Sequence, residues 1–547
     1  MKKKTLFLLG MASLMSVVSC GKSARHTIVD QPLPAGVPSS SVKIVFWHCL
    51  GQAKEANLQS KIVDPFNAKY RGKYYVELKK IAGEYDALND AIKKKLAAGE
   101  VPALAMGYPD SFAGYMTKTQ TLSSILRLDS WLTDENPVIP ATVDPDTGEV
   151  ITPASEEHIG YIGDELVGEN GFVDDYYNEG TGYHFDGTWS MPMYKSTEVM
   201  YYNKNYFKGC NDLNVKQFYT SYPEFAELYD ATNGVAKPDA AHPTFWQDLD
   251  DLETWCRDEN NSRHPGVKAY VYDVPVTWDD AIALSTQMRA DRAEQRLSDI
   301  IPFGYDSDAN LMISQMAQRN IPYTVNDEAS RENPRKHFVF NNAQAKALAT
   351  EITRLLKNRI MATKNSLGGT YTSTKFGNGE LLFTVGSSGG SSYNISANFA
   401  VGLAQVPYAN NNPQYIQQGP SICFFDNAKG QIHKGAWLFY KALADDQSNA
   451  DLALDNSYDP VRKQSYNKQS YLDWIDFENH PEYRGQLLHE IPAITSTITE
   501  YYMTSPVFIG SGQARDEMGL IIKKMFAGAN VNDAFDEALS NCYIAVK

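Results

Sequence analysis

VKIVFWHCLGQAKEANLQSKIVDPFNAKYRGKYYVELKKIAGEYDALNDAIKKKLAAGEVPALAMG, residues 42–107, alternates short apolar runs with segments of helical spacing. Val42–Trp47 is a compact β-rich run, the pattern of a buried strand. Residues 54–69 carry helical spacing, and Tyr74–Leu78 reads as a second strand. Tyr85, Leu88, Ala91, Ile92 and Leu96 recur at helical spacing up to Gly99, and Ala103–Met106 is a third apolar run. Strand, helix, strand, helix, strand at this spacing predicts a parallel sheet covered by helices.

Upstream, residues 21–41 are polar and rich in Pro and Ser, which predicts a flexible tether. Ahead of it, Lys2, Lys3 and Lys4 precede a short apolar stretch, Leu6 to Val18, that ends in Val17-Val18-Ser19-Cys20. The run is too short to span a bilayer and reads as a signal peptide over residues 1–20. The small residue before Cys20 is what a lipoprotein signal peptidase needs, so Cys20 is the expected site of lipidation and the only anchor. The protein is then exported and held on the outer face of the cytoplasmic membrane or in the periplasm.

Downstream, residues 133–185 and 211–241 lack periodicity and read as loops or insertions. A second α/β stretch begins at Trp189 and includes Val199–Tyr202. Leu381–Val385 is strand-like and breaks into Gly386-Ser387-Ser388-Gly389-Gly390, and the C-terminal portion reads as helical. A chain of 547 residues suffices for two or three domains with their own cores.

The net charge of −16 repels phosphodiester backbones, which excludes nucleic acid as a partner. Beyond Cys20, the cysteines Cys49, Cys210, Cys256, Cys423 and Cys542 are scattered and contain no CxxC pair, so neither a disulfide framework nor a metal site is expected. The 33 tyrosines suit core filling, or a site that stacks rings on the apolar face of a sugar.

The chain resembles the extracellular solute-binding proteins of ABC importers, nearest the sugar and glycerol-3-phosphate branch. The resemblance rests on segments in order through nearly the whole chain: IVFWHCLG (44–51), AGEYDALNDAIKKKLAAGEVPALAMGY (82–108), WSMPMYKSTEVMYYNKNYF (189–207), PTFWQDLDDL (243–252), FGNGELLFTVGSSGG (376–390), VGLAQVPY (401–408), GPSICFF (419–425), SYDPVRKQSY (457–466) and FIGSGQARDEMGLIIKKMFAG (508–528). It implies an α/β fold of two periplasmic-binding-protein-like lobes with hinge crossovers and a ligand cleft that closes by hinge bending. Lobe I is expected over 42–117 plus 419–465, and lobe II over 118–418 plus 466–547. The implied partners are a small-molecule solute and the membrane permease of an ABC importer. A monomer, no cofactor and no catalysis are also implied.

The resemblance carries over ligand contacts as well. Tyr85 and Ser196 fall on contacting positions, the latter in Lys195-Ser196-Thr197, and Asp110 lies beside a position where that branch carries a glutamate. Trp278 matches one of two cleft tryptophans, the other position reading Pro275. Ser388, Gly419, Tyr458 and Arg515 match further contacts. Arg515 heads a helical stripe with Met518, Ile522 and Met525, where a guanidinium needs an anionic or multi-acceptor partner. That partner is either a ligand or an internal carboxylate. The serine-glycine turn offers backbone N–H groups to phosphate or hydroxyl oxygens. Trp47-His48 ends a strand on the side where open α/β sheets bind ligands, and Lys195 offers a second positive charge. The arginine and the turn incline the ligand toward glycerol 3-phosphate or its diester; Trp278 and the tyrosines suit a sugar or oligosaccharide.

Two other classes compete. Gly386–Gly390 formally satisfies GxSxG after a strand, but no helical stripe follows the serine and no HGGG-type loop precedes it, so a serine hydrolase is not supported. A glycosidase has no signature beyond abundant carboxylates. A surface adhesion lipoprotein on the same scaffold remains an alternative, with the acidic insertions as its contact surface.

Overall fold

The computed structural model describes residues 26–29, 32–116, 124–132, 166–207 except 167 and 184, 272–294, 300–427 and 430–547, with short strands at 142–143, 150–152, 229–230 and 235–236. Cys20, the leader, segment 243–252 and most of 133–165 and 211–241 lie outside the described residues.

The strands that build the lobes are β1 (Val42–His48), β2 (Tyr74–Lys80), β3 (Leu104–Gly107), β4 (Met191–Pro192), β5 (Glu198–Asn203), β6 (Ile301–Tyr305), β7 (Met361–Thr363), β8 (Leu381–Ser387), β9 (Val401–Ala404) and β10 (Ser421–Phe424). They form two five-stranded sheets, ordered β2-β1-β3-β10-β4 and β7-β6-β8-β5-β9. In each, the first three strands run parallel and the fourth is antiparallel to both of its neighbours, so the fifth runs with the first three. The sheets are therefore mixed rather than wholly parallel: β10 and β5 enter each sheet from the opposite direction because the chain reaches them by crossing between lobes.

The crossing segments lie side by side. Only Met193–Thr197 separates β4 of the first sheet from β5 of the second. Lys195 pairs with Asp459 through both backbone groups, at 3.0 and 2.6 Å, and Ser196 pairs likewise with Gln418 at 2.9 and 2.7 Å. The first crossing thus falls at 193–197, well beyond the position near 117 expected from sequence. The intervening chain belongs with the first sheet: β4 pairs with β10, and Trp131 packs on Trp437 with ring centroids 5.4 Å apart.

Two further expectations are corrected. Within the presumed tether, Thr27–Ile28 pairs in parallel with Glu100–Val101, and Ile28 is buried in the core with Val29 packed against it. Within the presumed insertion, Asp174–Asn178 is helical and buries Tyr176, while Arg462 caps the Phe172 ring at 4.7 Å.

Most of the aromatic excess fills the two cores. Phe303 meets Phe383 at 4.6 Å in the second lobe, and Phe424 meets Trp437 at 5.4 Å in the first. Edge-on contacts such as Phe303 on Phe383 add about 0.5–1.5 kcal/mol each beyond area burial. Four helices position the site: α1 (Gln52–Leu58), α2 (Tyr85–Ala97), α3 (Pro109–Ala113) and α4 (Asp308–Gln318). A fifth, α5 (Ser511–Phe526), packs along α4 in the second lobe and touches α3 of the first. Among the described residues no helix is long and apolar enough to cross a membrane.

Candidate functional site: an interlobe cleft

Each parallel strand delivers its C-terminal end to one cavity. Cys49 follows β1, Glu84 and Tyr85 follow β2, and Tyr108 follows β3; from the other lobe Asp306 follows β6, Lys364 follows β7 and Gly389 follows β8. This is where open α/β sheets place ligands, since the turns there are free of sheet pairing. The cavity measures about 820 Å³, near the upper end of the roughly 300–1,000 Å³ of small-molecule pockets. A chamber of about 60 Å³ lies behind it, lined by Asp110, Tyr323 and Gln417, and Arg515 borders both spaces.

Arg515 projects from α5 into the cleft. Its guanidinium donates to the Asn310 side-chain oxygen, and among the described residues no carboxylate stands within ion-pairing distance. Of the five N–H groups of a guanidinium, four remain for a ligand. Asn310 in turn donates to Glu198 at 2.6 Å, and Tyr305 donates to the other Glu198 oxygen. Burial pushes the Glu198 carboxyl up to about 7, against the opposing pull of Tyr305, Asn310 and Arg515.

Tyrosines line the first-lobe wall. Tyr85 and Tyr108 lie 4.4 Å apart between ring centroids, and Tyr458 packs on Tyr194 at 4.2 Å. Gly389 is glycine for a packing reason: a Cβ there would stand 2.6 Å from the Tyr458 ring. Tyr393, 71% exposed, stands at the mouth.

The carried-over residues divide accordingly. Tyr85, Tyr458 and Arg515 meet in the cleft, and Asp110 faces the inner chamber, its carboxylate accepting from Ser111 N at 2.7 Å. Ser196, Ser388 and Gly419 are buried in the crossover instead. The Ser388 hydroxyl accepts from Thr197 N at 3.3 Å, and the turn element that lines the cleft is Ser387 with Gly389 and Gly390. Gly419 has φ of 98°, and its Cβ would meet the Tyr194 carbonyl at 2.6 Å, so its role is to let the strands cross.

Trp278 is 1% exposed, packs on Phe303 and Tyr305, and donates to Gln318 at 2.9 Å. It is core of the second lobe and borders no part of the cleft. Lys195 is not a ligand cation either: it is wholly buried, ion-paired with Glu179, and donates to Ser421 at 3.1 Å. His48 is buried with its Nδ1 accepting from Leu50 N at 3.3 Å, and burial lowers it to about 4.

Sequence reasoning missed Lys54, Glu84, Tyr108, Glu198, Asn310 and Tyr371. Most follow strand ends, a signal available once the strands were assigned. Lys54 had none, since its position depends on where α1 meets the other lobe.

Residues 61–479 match the family profile described as "Bacterial extracellular solute-binding protein". The chain belongs to that family. Its fold is shared with solved binding proteins of low sequence identity. The cyclic α-maltosyl-1,6-maltose binding protein of Arthrobacter globiformis is 15% identical, with a TM-score of 0.55 over 93% of this chain and 99% of that one. UgpB of Mycobacterium tuberculosis, solved with glycerophosphocholine, is 13% identical, with a TM-score of 0.59 over 92% and 98%. A Listeria monocytogenes substrate-binding protein in complex with cycloalternan is 12% identical, also at 0.59, over 92% and 98%. No curated protein matches the sequence. As a member of that family, the molecule is an extracellular solute-binding protein.

Proposed function

We propose that this binding protein captures a neutral, hydroxyl-rich solute of oligosaccharide size, without chemical turnover, as a monomer held at the membrane by lipidated Cys20. The observation that carries the ligand class is the charge of the cleft. Three cations line it (Lys54, Lys364, Arg515) against six carboxylates (Glu84, Asp86, Glu198, Asp306, Asp308, Asp516). A multiply charged anion is repelled by that excess, whereas sugar hydroxyls donate to carboxylates and accept from Arg515. Tyr85, Tyr108 and Tyr458 supply faces for the apolar side of a ring. The volume also exceeds what glycerol 3-phosphate fills.

A glycerophosphodiester is the second reading, favoured by one observation: the guanidinium of Arg515 borders the cleft with no carboxylate partner among the described residues, a fit for a single negative charge. Calorimetry with maltose, maltotriose, glycerol 3-phosphate and glycerophosphocholine separates the two. Saturable one-to-one binding of a maltooligosaccharide supports the first reading, and binding of the diester alone replaces it with the second.

The Ser388 geometry supports the absence of catalysis. Its hydroxyl is buried under the crossover and a 3₁₀ turn follows, not the helix a nucleophile elbow needs. A covalent serine probe is expected to leave the protein unlabelled.

A further inference from the structure

The Glu198–Asn310–Arg515 chain has a direction. A guanidinium only donates, so Arg515 fixes the oxygen of the Asn310 amide toward itself and turns the NH2 toward Glu198. That NH2 then needs an unprotonated acceptor, and Tyr305 donates to the second Glu198 oxygen. The chain links β5, β6, α4 and α5, all in the second lobe, and ends at the guanidinium that borders both cavities.

We propose that Glu198 is the residue that sets the charge preference of the cleft, acting through Asn310 on Arg515. Ionised Glu198 has two effects. It orients Asn310 so that the guanidinium is held at the cleft surface, and it offsets the guanidinium charge from below. The site then presents a donor fork without a net positive field, which suits hydroxyl oxygens and penalises anions. This deepens the saccharide reading and rests on it for the natural ligand, but the chain itself is open to test without any sugar. The titratable and charged groups facing Glu198 are Tyr305 at the end of β6, Asp306 just beyond it and Arg515 on α5. Asp306 is engaged by the Thr372 backbone N–H at 3.0 Å.

The test uses sulfate, whose charge is constant from pH 5.5 to 8.5, as the anion probe on the full mature chain. Glu198→Gln keeps an acceptor for Asn310 and removes the charge; Asn310→Ala removes the link. The expected result is sulfate affinity in wild type that falls as pH rises through about 7. Glu198→Gln is expected to bind sulfate at least ~10-fold tighter at pH 8, the low end of what one nearby charge does, with the pH dependence gone. In a crystal structure of Asn310→Ala the guanidinium leaves its position. Two results overturn the proposal: sulfate affinity and pH profile unchanged in Glu198→Gln, or Arg515 undisturbed in Asn310→Ala. Failure of wild type to bind any saccharide contradicts the functional reading instead, and leaves these readouts to decide the relay.

Discussion

Lys54 of the first lobe donates to the Gly389 carbonyl of the second at 2.6 Å, directly across the cleft mouth. The same ammonium stands 4.2 Å from the centroid of the Tyr458 ring. A second bridge spans the mouth where Tyr371 donates to Glu84 at 2.5 Å. Both contacts join the two lobes, so any movement that parts the lobes must break them.

Lys54→Met keeps the aliphatic stem and removes the bond and the charge. The closed state is expected to lose about 1–2 kcal/mol, about a 5- to 30-fold shift toward open lobes. Interlobe distance by single-molecule fluorescence checks it. An unchanged distance distribution contradicts the bridge.

At Gly419 the backbone is left-handed and the Tyr194 carbonyl blocks a side chain. Gly419→Ala therefore combines strain with a backbone clash and is expected to destabilise by about 2–3 kcal/mol or more. Gly368→Ala, with a φ of 67° but open space around it, should cost less. Comparative urea melts read the difference.

The Lys195–Glu179 pair sits in the crossover with its lysine wholly buried. Glu179→Ala strands that ammonium and is expected to cost about 3–5 kcal/mol. Glu179→Gln, which keeps an acceptor, should recover part of the loss. Equal stability of all three proteins would show that water reaches Lys195.

Asp459 titrates at about 6, raised by burial and opposed by hydrogen bonds from Thr495 and Tyr502. A carboxyl raised on folding makes the folded state hold its proton more tightly. Its stabilising contribution is therefore greatest below the unfolded value near 4 and is lost as pH climbs from about 4 to about 6. Asp459→Asn is expected to raise the melting temperature at pH 8 relative to wild type and to shrink that gain at pH 4. The opposite ordering refutes the assignment.

The fold was legible where hydrophobic periodicity is local. The run from Val42 to Met106 shows its strands and helices because each buries one continuous apolar face. The crossing at Met193–Thr197 was not legible, since it is defined by pairing with Asp459 and Gln418, both more than 200 residues away in sequence. The same reason explains the site. Arg515 was identifiable as a polar head on an apolar helical stripe, and its bond to Asn310 was not. Trp278 was misplaced because a tryptophan's type does not reveal whether its ring faces a cleft or Phe303. Ser196 and Gly419 lie in the paired crossover segments, a placement that depends on strands far apart in sequence.

Calorimetric titration of the protein with maltotriose, alongside Arg515→Ala, reads the ligand class of the cleft directly. One-to-one saturable binding is expected in wild type, with a loss of at least ~10-fold in the variant, the value of one or two charge-assisted hydrogen bonds. No heat with maltotriose or any other neutral saccharide, together with tight binding of glycerol 3-phosphate, would contradict the saccharide reading.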